Sequence, residues 1–290
     1  MTTTIQLIIL GFAIAIGAVV GSFLNVVIWR VPRGENVAFP ASHCGTCEQP
    51  IPWYHNIPVI SWILLRGRCA SCEATISPRY LMVELVTAAL AVACVRHFGV
   101  SALAFRAFFF AAALVALTYI DLEHWILPHA ITWPSIAVGL ATAWVLGGPG
   151  TMDAVLGAAA GFAGFALLQV VAEWLLKKEA LGGGDLFLLA MVGAFLGWQV
   201  LLPVVFLASI QGSVVGLGLI LAGRLRGGEA SAPGDPATEN TAPTAPEDEE
   251  AWEPPAHALP FGPFLSLAAL EMLFLGERLF AYFFSFAEVG

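Results

Sequence analysis

The sequence predicts an all-α polytopic membrane protein of about eight transmembrane helices, with a small cytoplasmic cysteine-containing domain after the first helix. Three observations carry that prediction. Of the 290 residues, 59% are hydrophobic and 11% charged, and the mean hydropathy is +0.83, far more apolar than a soluble domain. Apolar stretches of roughly 18 to 25 residues, long enough to cross a hydrocarbon core of ~30 Å, recur along the chain. None shows the alternating polarity of a membrane strand, so the spans are expected to be helical.

The spans fall near 5–28, 80–98, 101–121, 130–147, 154–176, 184–198, 200–223 and 261–286. The first lacks the basic start and cleavage site of a secretory signal and is expected to be retained. The sixth is short and abuts the seventh through Gly197, Trp198 and Gln199, so this pair also reads as a re-entrant hairpin; eight is the preferred count. The chain then divides into a first helix (5–28), a cytoplasmic four-cysteine domain (29–79), a membrane core holding helices two to seven (80–223), an acidic loop (224–260) and a last helix (261–286).

Orientation follows from the basic residues. With the first span running inward, Arg30, Arg33, Arg66, Arg68, Arg79, Lys177, Lys178, Arg224 and Arg226 gather on one side, nine of the twelve Lys and Arg residues. That side is cytoplasmic by the excess of positive charge, which leaves both termini outside. The net charge of −9 is concentrated in residues 227–257, which hold eight acidic residues and no Lys or Arg. Rich in Pro and Ala, this stretch cannot bury enough apolar surface to offset ordering, and it is expected to be a disordered linker. No basic stripe suggests a nucleic-acid partner.

Four of the five cysteines form two C-x-x-C pairs, Cys44 with Cys47 and Cys69 with Cys72, separated by 21 residues. Two such turns can close a tetrahedral thiolate shell around structural zinc. Disulfides are the competing arrangement, but the charge rule places the segment in a reducing compartment. A shell of four cysteines leaves no open position, so the metal would support folding and not catalysis. Arg66 and Arg68 could offset its negative charge, His43 and His55 are spare ligand candidates, and Cys94 in an apolar span is expected to be a packing residue.

Ionisable residues near hydrocarbon are costly, which draws attention to Asp121 and Asp185. Asp121 ends the third span in TYIDLEHWILPH, and Asp185 opens the sixth after three glycines in LGGGDLFLLA. Both fall at similar depth near the cytoplasmic face. Two carboxylates brought together can share a proton, one activating water while the other donates to a scissile carbonyl, which is aspartic-peptidase chemistry. Glycines 182–184 would leave room for an extended peptide. For Asp185, helix capping is an equally good explanation; Asp121 at a helix C-terminus has no such excuse. The helix ends alone assign the base to Asp185 and the acid to Asp121. Glu123 and His124 read as solvated interface residues.

Taken together, GSFLNVVIWRVP (21–32), the two C-x-x-C pairs, WYHNIPVISWILLRGRC (53–69), SPRYLMVEL (77–85), IDLEHWILP (120–128), GGGD (182–185) and LPFGPFL (259–265) resemble, in order, the blocks of the bacterial prepilin peptidases. The resemblance implies a bifunctional leader peptidase and N-methyltransferase with Asp121 and Asp185 as the catalytic pair. It further implies cleavage of type IV prepilins or type II secretion pseudopilins after a glycine, ahead of a hydrophobic helix. Methylation of the new amino terminus from S-adenosylmethionine would follow, in the bacterial inner membrane. The chain departs from the family pattern twice: Phe187 stands where G-x-G-D-x-K has Lys, and His129 where Asp often follows LP. Methyl transfer rests on the resemblance alone, since no G-x-G-x-x-G follows a strand; its site is placed near the cysteine domain without a named residue. A peptidase lacking methyl transfer, a peptidase for another membrane substrate, an inactive scaffold and an ion- or proton-coupled transporter are the alternatives, and the last is disfavoured by the absence of paired halves.

Overall fold

A computed structural model of the chain describes residues 3–146, 148–176, 183–225 and 259–285. Among them the only regular elements are helices: α1 (Thr3–Arg30), α2 (Ile60–Leu64), α3 (Pro78–Phe98), α4 (Ala102–His124), α5 (His129–Leu146), α6 (Thr151–Leu176), α7 (Gly184–Leu196), α8 (Leu201–Leu225) and α9 (Gly262–Ser285). The apolar stretches dictate this, because a backbone in lipid satisfies its polar groups most simply within a helix. Local punctuation sets the ends. Ser77 and Ser101 cap α3 and α4 with their side chains, and Gly197 at φ 88° closes α7.

Six helices among the described residues, α1, α3, α4, α5, α6 and α8, are long and apolar enough to cross a membrane. Of the eight spans expected, α7 has 13 residues, a rise of about 20 Å that falls short of the hydrocarbon core. In α9 the described apolar part, Gly262–Gly276, is likewise shorter. The re-entrant pairing of α7 with α8 is not what the packing shows, since α7 lies mainly against α6 and α5. The acidic loop falls outside the described residues apart from its two ends, as do Lys177 and Lys178.

Helices α4 and α7 occupy the centre. Alanines 107, 111, 112, 113 and 116 of α4 are all buried, and such small side chains let neighbouring backbones approach closely. Every residue of α7 from Leu188 to Phe195 is buried. Gly157 and Gly161 of α6 admit the α7 backbone at Gly193 and Leu189, while Gly17 and Gly21 of α1 lie against Ala88 and Glu84 of α3. The outer faces of α1, α6 and α8 carry exposed Ile, Leu, Val and Phe, the surface a bilayer would cover.

Candidate active site and metal centre

Asp121 sits in the last turn of α4, whose C-terminus closes on Trp125 in a left-handed conformation with the Trp125 N–H donating to the Asp121 carbonyl. Asp185 sits in the first turn of α7, after Gly183. The two helices are antiparallel neighbours pinned at both ends. At one end Arg106 of α4 donates to Thr142 Oγ1 (2.9 Å) and to the Ala194 carbonyl (3.2 Å) near the end of α7. At the other, Leu127 just past α4 lies so close to Gly184 that a Cβ there would fall 2.8 Å from the Leu127 Cβ. This brings Asp121 and Asp185 to the same end of the bundle, where the charge of Asp121 acts on Asp185. Both are buried, at 6% and 7% exposure, so neither is a solvated helix cap.

A third segment, absent from the sequence-level site, completes the surroundings. Gly262 opens α9, and its backbone N–H donates to the Asp121 carboxylate. A Cβ on Gly262 would lie 2.5 Å from Asp121 Oδ2 and 3.4 Å from Leu127 Cδ1. Leu127, itself buried, thus wedges between Gly184 and Gly262, one beside each helix start. The role assignment from helix ends considered one helix per aspartate. The amide at the start of α9 supplies Asp121 with the donor that the end of α4 withholds, which removes the basis for that assignment. The sequence signal for Gly262 was the LPFGPFL block, read there as resemblance and not as a site. Also unforeseen, Arg79 at the start of α3 pairs with Glu123 at the end of α4, so Glu123 is not merely solvated.

The two departures from the family pattern meet in space. His129 and Phe187 form an edge-to-face pair with ring centroids 4.4 Å apart, and Trp133 and Phe162 pack on the same Phe187 ring.

The cysteine segment folds as two equivalent knuckles, one on each C-x-x-C pair. Cys44 N–H donates to the Gln49 carbonyl and Glu48 N–H to the Cys44 carbonyl; in the second, Cys69 N–H donates to Ala74 and Glu73 N–H to Cys69. Glu48 and Glu73 hold matching positive φ values of 56° and 59°. The four sulfurs of Cys44, Cys47, Cys69 and Cys72 lie within 4.8 Å of one another, with Cys44 and Cys72 at 3.8 Å. A tetrahedron with metal–sulfur bonds of ~2.3 Å has edges of about 3.8 Å, so the thiol set fits a metal ion. Backbone N–H groups of Cys47 and Thr46 lower the Cys44 thiol to about 6, and those of Cys72 and Ser71 lower Cys69. His43 instead contacts the Ala41 carbonyl and His55 the Tyr54 ring; neither joins the cluster. Cys94 is fully buried, as a packing residue should be.

Residues 15–98 match the model of the bacterial peptidase A24 N-terminal domain, and residues 108–217 that of the type IV leader peptidase family. The chain is 41% identical to a prepilin leader peptidase/N-methyltransferase of Myxococcus xanthus, over 92% of this chain and 90% of the relative. It is 36% identical to one of Aeromonas hydrophila, over 90% and 88%. It is also 40% identical to a type 4 prepilin-like proteins leader peptide-processing enzyme of Escherichia coli, over 68% and 81%. No solved structure matches. With both buried aspartates and the four-cysteine knuckles lying within the matched stretches, this multi-pass membrane protein belongs to the type IV leader peptidase family.

Proposed function

We propose that the chain removes the leader peptide of type IV prepilins and type II secretion pseudopilins and then methylates the new amino terminus. The observation that carries this reading is the convergence of Asp121 and Asp185, both buried, at one end of the α4/α7 pair, in a chain whose relatives are named prepilin leader peptidase/N-methyltransferase. The pair holds one proton between them. The ionised carboxylate takes a proton from water as it attacks the scissile carbonyl, and the neutral one donates to the developing oxyanion. The proton belongs to the pair and not to one residue. The Gly262 amide orients Asp121, and Leu127 lies between the starts of α7 and α9.

Cys44, Cys47, Cys69 and Cys72 would hold structural zinc, which closes the knuckles and offers no open position to substrate. S-adenosylmethionine would supply the methyl group when bound. The same reading makes 29–79 the cytoplasmic domain, 80–223 the membrane peptidase core, 224–260 a cytoplasmic linker and 5–28 and 261–286 flanking helices. The dyad then faces the cytoplasm in the bacterial inner membrane, in keeping with the distribution of Arg and Lys.

The test is the intact mass of a co-expressed prepilin with the wild type and with Asp121→Asn, Asp185→Asn and Cys69→Ser. Mature pilin carrying one added methyl group, with uncut precursor in both Asp variants, supports the proposal. Cleavage without methylation leaves a peptidase alone, and uncut precursor with the wild type rejects the reading.

A further inference from the structure

The short helix α2 is built inside out. Ser61, its buried residue, donates its hydroxyl to the Tyr54 carbonyl (3.1 Å) and receives the Ile57 N–H (3.1 Å). Trp62 turns inward against Gly67. The apolar residues point the other way: Ile60 is 54% exposed, Ile63 58% and Leu64 74%. Because the Ser61–Tyr54 bond ties α2 to the preceding turn, Trp53 (80% exposed) and Tyr54 (53%) belong to the same part of the domain. Single exposed apolar residues are ordinary on a water-facing domain, but a cluster of them on one short helix and its neighbouring turn marks an interaction surface.

Two observations identify what covers it. The first is depth. The Val59 N–H donates to Glu84 Oε2 at 2.6 Å, and Glu84 is a buried residue on α3, six residues and about 9 Å past the helix start. Gly21 of α1 meets the Glu84 backbone there, so the residue leading into α2 is tied down beside the α1/α3 pair, inside the length of two helices that span the bilayer. Val59 holds φ 64° at that point, an unfavourable conformation for a β-branched side chain, and the bond to Glu84 helps to hold it. The second is charge. Between Gln49 and Cys72 there is no Asp or Glu, while Arg66 and Arg68 follow α2 directly and both are exposed.

We propose that Trp53, Tyr54, Ile60, Ile63 and Leu64 seat the four-cysteine domain on the bilayer as an interfacial patch, with Arg66 and Arg68 on the headgroups of anionic phospholipids. Aromatic rings and aliphatic side chains enter the headgroup boundary while the guanidinium groups meet phosphate. The domain is then held against the membrane along a third contact, besides the two helices that bear it.

The test uses the full chain in nanodiscs made with brominated acyl chains, and isolates the signal of one side chain as the difference in tryptophan emission between the wild type and Trp53→Phe. Bromolipid quenching of the Trp53 component, with protection from aqueous acrylamide, is expected. That quenching should be lost in Ile63→Glu/Leu64→Glu and fall when anionic lipid is replaced by zwitterionic lipid. A Trp53 component open to acrylamide and untouched by bromolipid overturns the proposal. So does a component shielded only after prepilin is added, since the surface would then belong to the substrate. Because the wild type and the conservative Trp53→Phe decide the main outcome, misfolding of the double variant does not obscure it, and the readout is independent of cleavage.

Discussion

Gly262 faces Asp121 so closely that a single added methyl group would lie 2.5 Å from Oδ2 of the carboxylate. The residues are 141 positions apart in the chain, and no side chain larger than hydrogen fits between the start of α9 and the end of α4. Gly262→Ala is therefore expected to displace Asp121 without removing it. Misplacing a reacting group by about 1 Å costs roughly 10²-fold in rate, so cleavage kinetics should show a drop in kcat of that order with KM nearly unchanged. An Ala variant with wild-type kcat would show that the carboxylate tolerates the shift.

Asp121 and Asp185 are expected to act as one unit. Each single Asn variant should abolish detectable processing, and the double variant should be no worse than either, because groups that share one proton are not additive. Leader-peptide cleavage by purified protein measures this; additive losses would mean that the two act separately.

The contact between Phe187 and His129 predicts how the family's usual charged pattern could be restored. Phe187→Lys alone places an ammonium among the His129, Trp133 and Phe162 rings at a half-buried position and is expected to lower thermal stability by about 1 kcal/mol, the low end of the range for an unpaired polar group. His129→Asp added to it supplies a partner at the same position, so the double variant should recover most of that loss. A thermal-denaturation double-mutant cycle reads the coupling; simple additivity would mean that the two positions do not communicate.

Removing the proposed zinc is expected to unfold the knuckles while α4 and α7 keep their packing, because the sulfurs bring together segments with little core of their own. The Cys44 thiol, at about 6 against an ordinary value of 9.0, is lowered in the folded turn. In the metal-free turn its contribution is complete above the ordinary value and lost as the pH falls through about 6. Cobalt titrations at a series of pH values, read by thiolate-to-metal absorption, should show affinity falling as the pH drops through about 6; an affinity independent of pH would mean that the folded turn does not favour the thiolate.

Most of the long membrane helices were legible almost to the residue: spans expected at 80–98, 130–147 and 154–176 are helices at 78–98, 129–146 and 151–176. Long apolar runs leave the backbone few other solutions in lipid, and Ser, Gly and Pro mark where they stop. The cysteine cluster was legible for a similar reason, since paired C-x-x-C turns bring ligands together locally. Asp121 and Asp185 stood out because charge is rare in such a chain.

What surrounds them was not legible. The helices and the C-x-x-C turns depend on composition and spacing within a short stretch, as does the scarcity of charge that singles out Asp121 and Asp185. Packing between distant segments is what sets Gly262 against Asp121, Leu127 between Gly184 and Gly262, Phe187 against His129, and the Val59 N–H on Glu84 at the start of the outward-facing α2. Those contacts depend on the rotation and depth of one helix against another. Close packing of side chains belonging to distant segments sets both, and no local pattern records it.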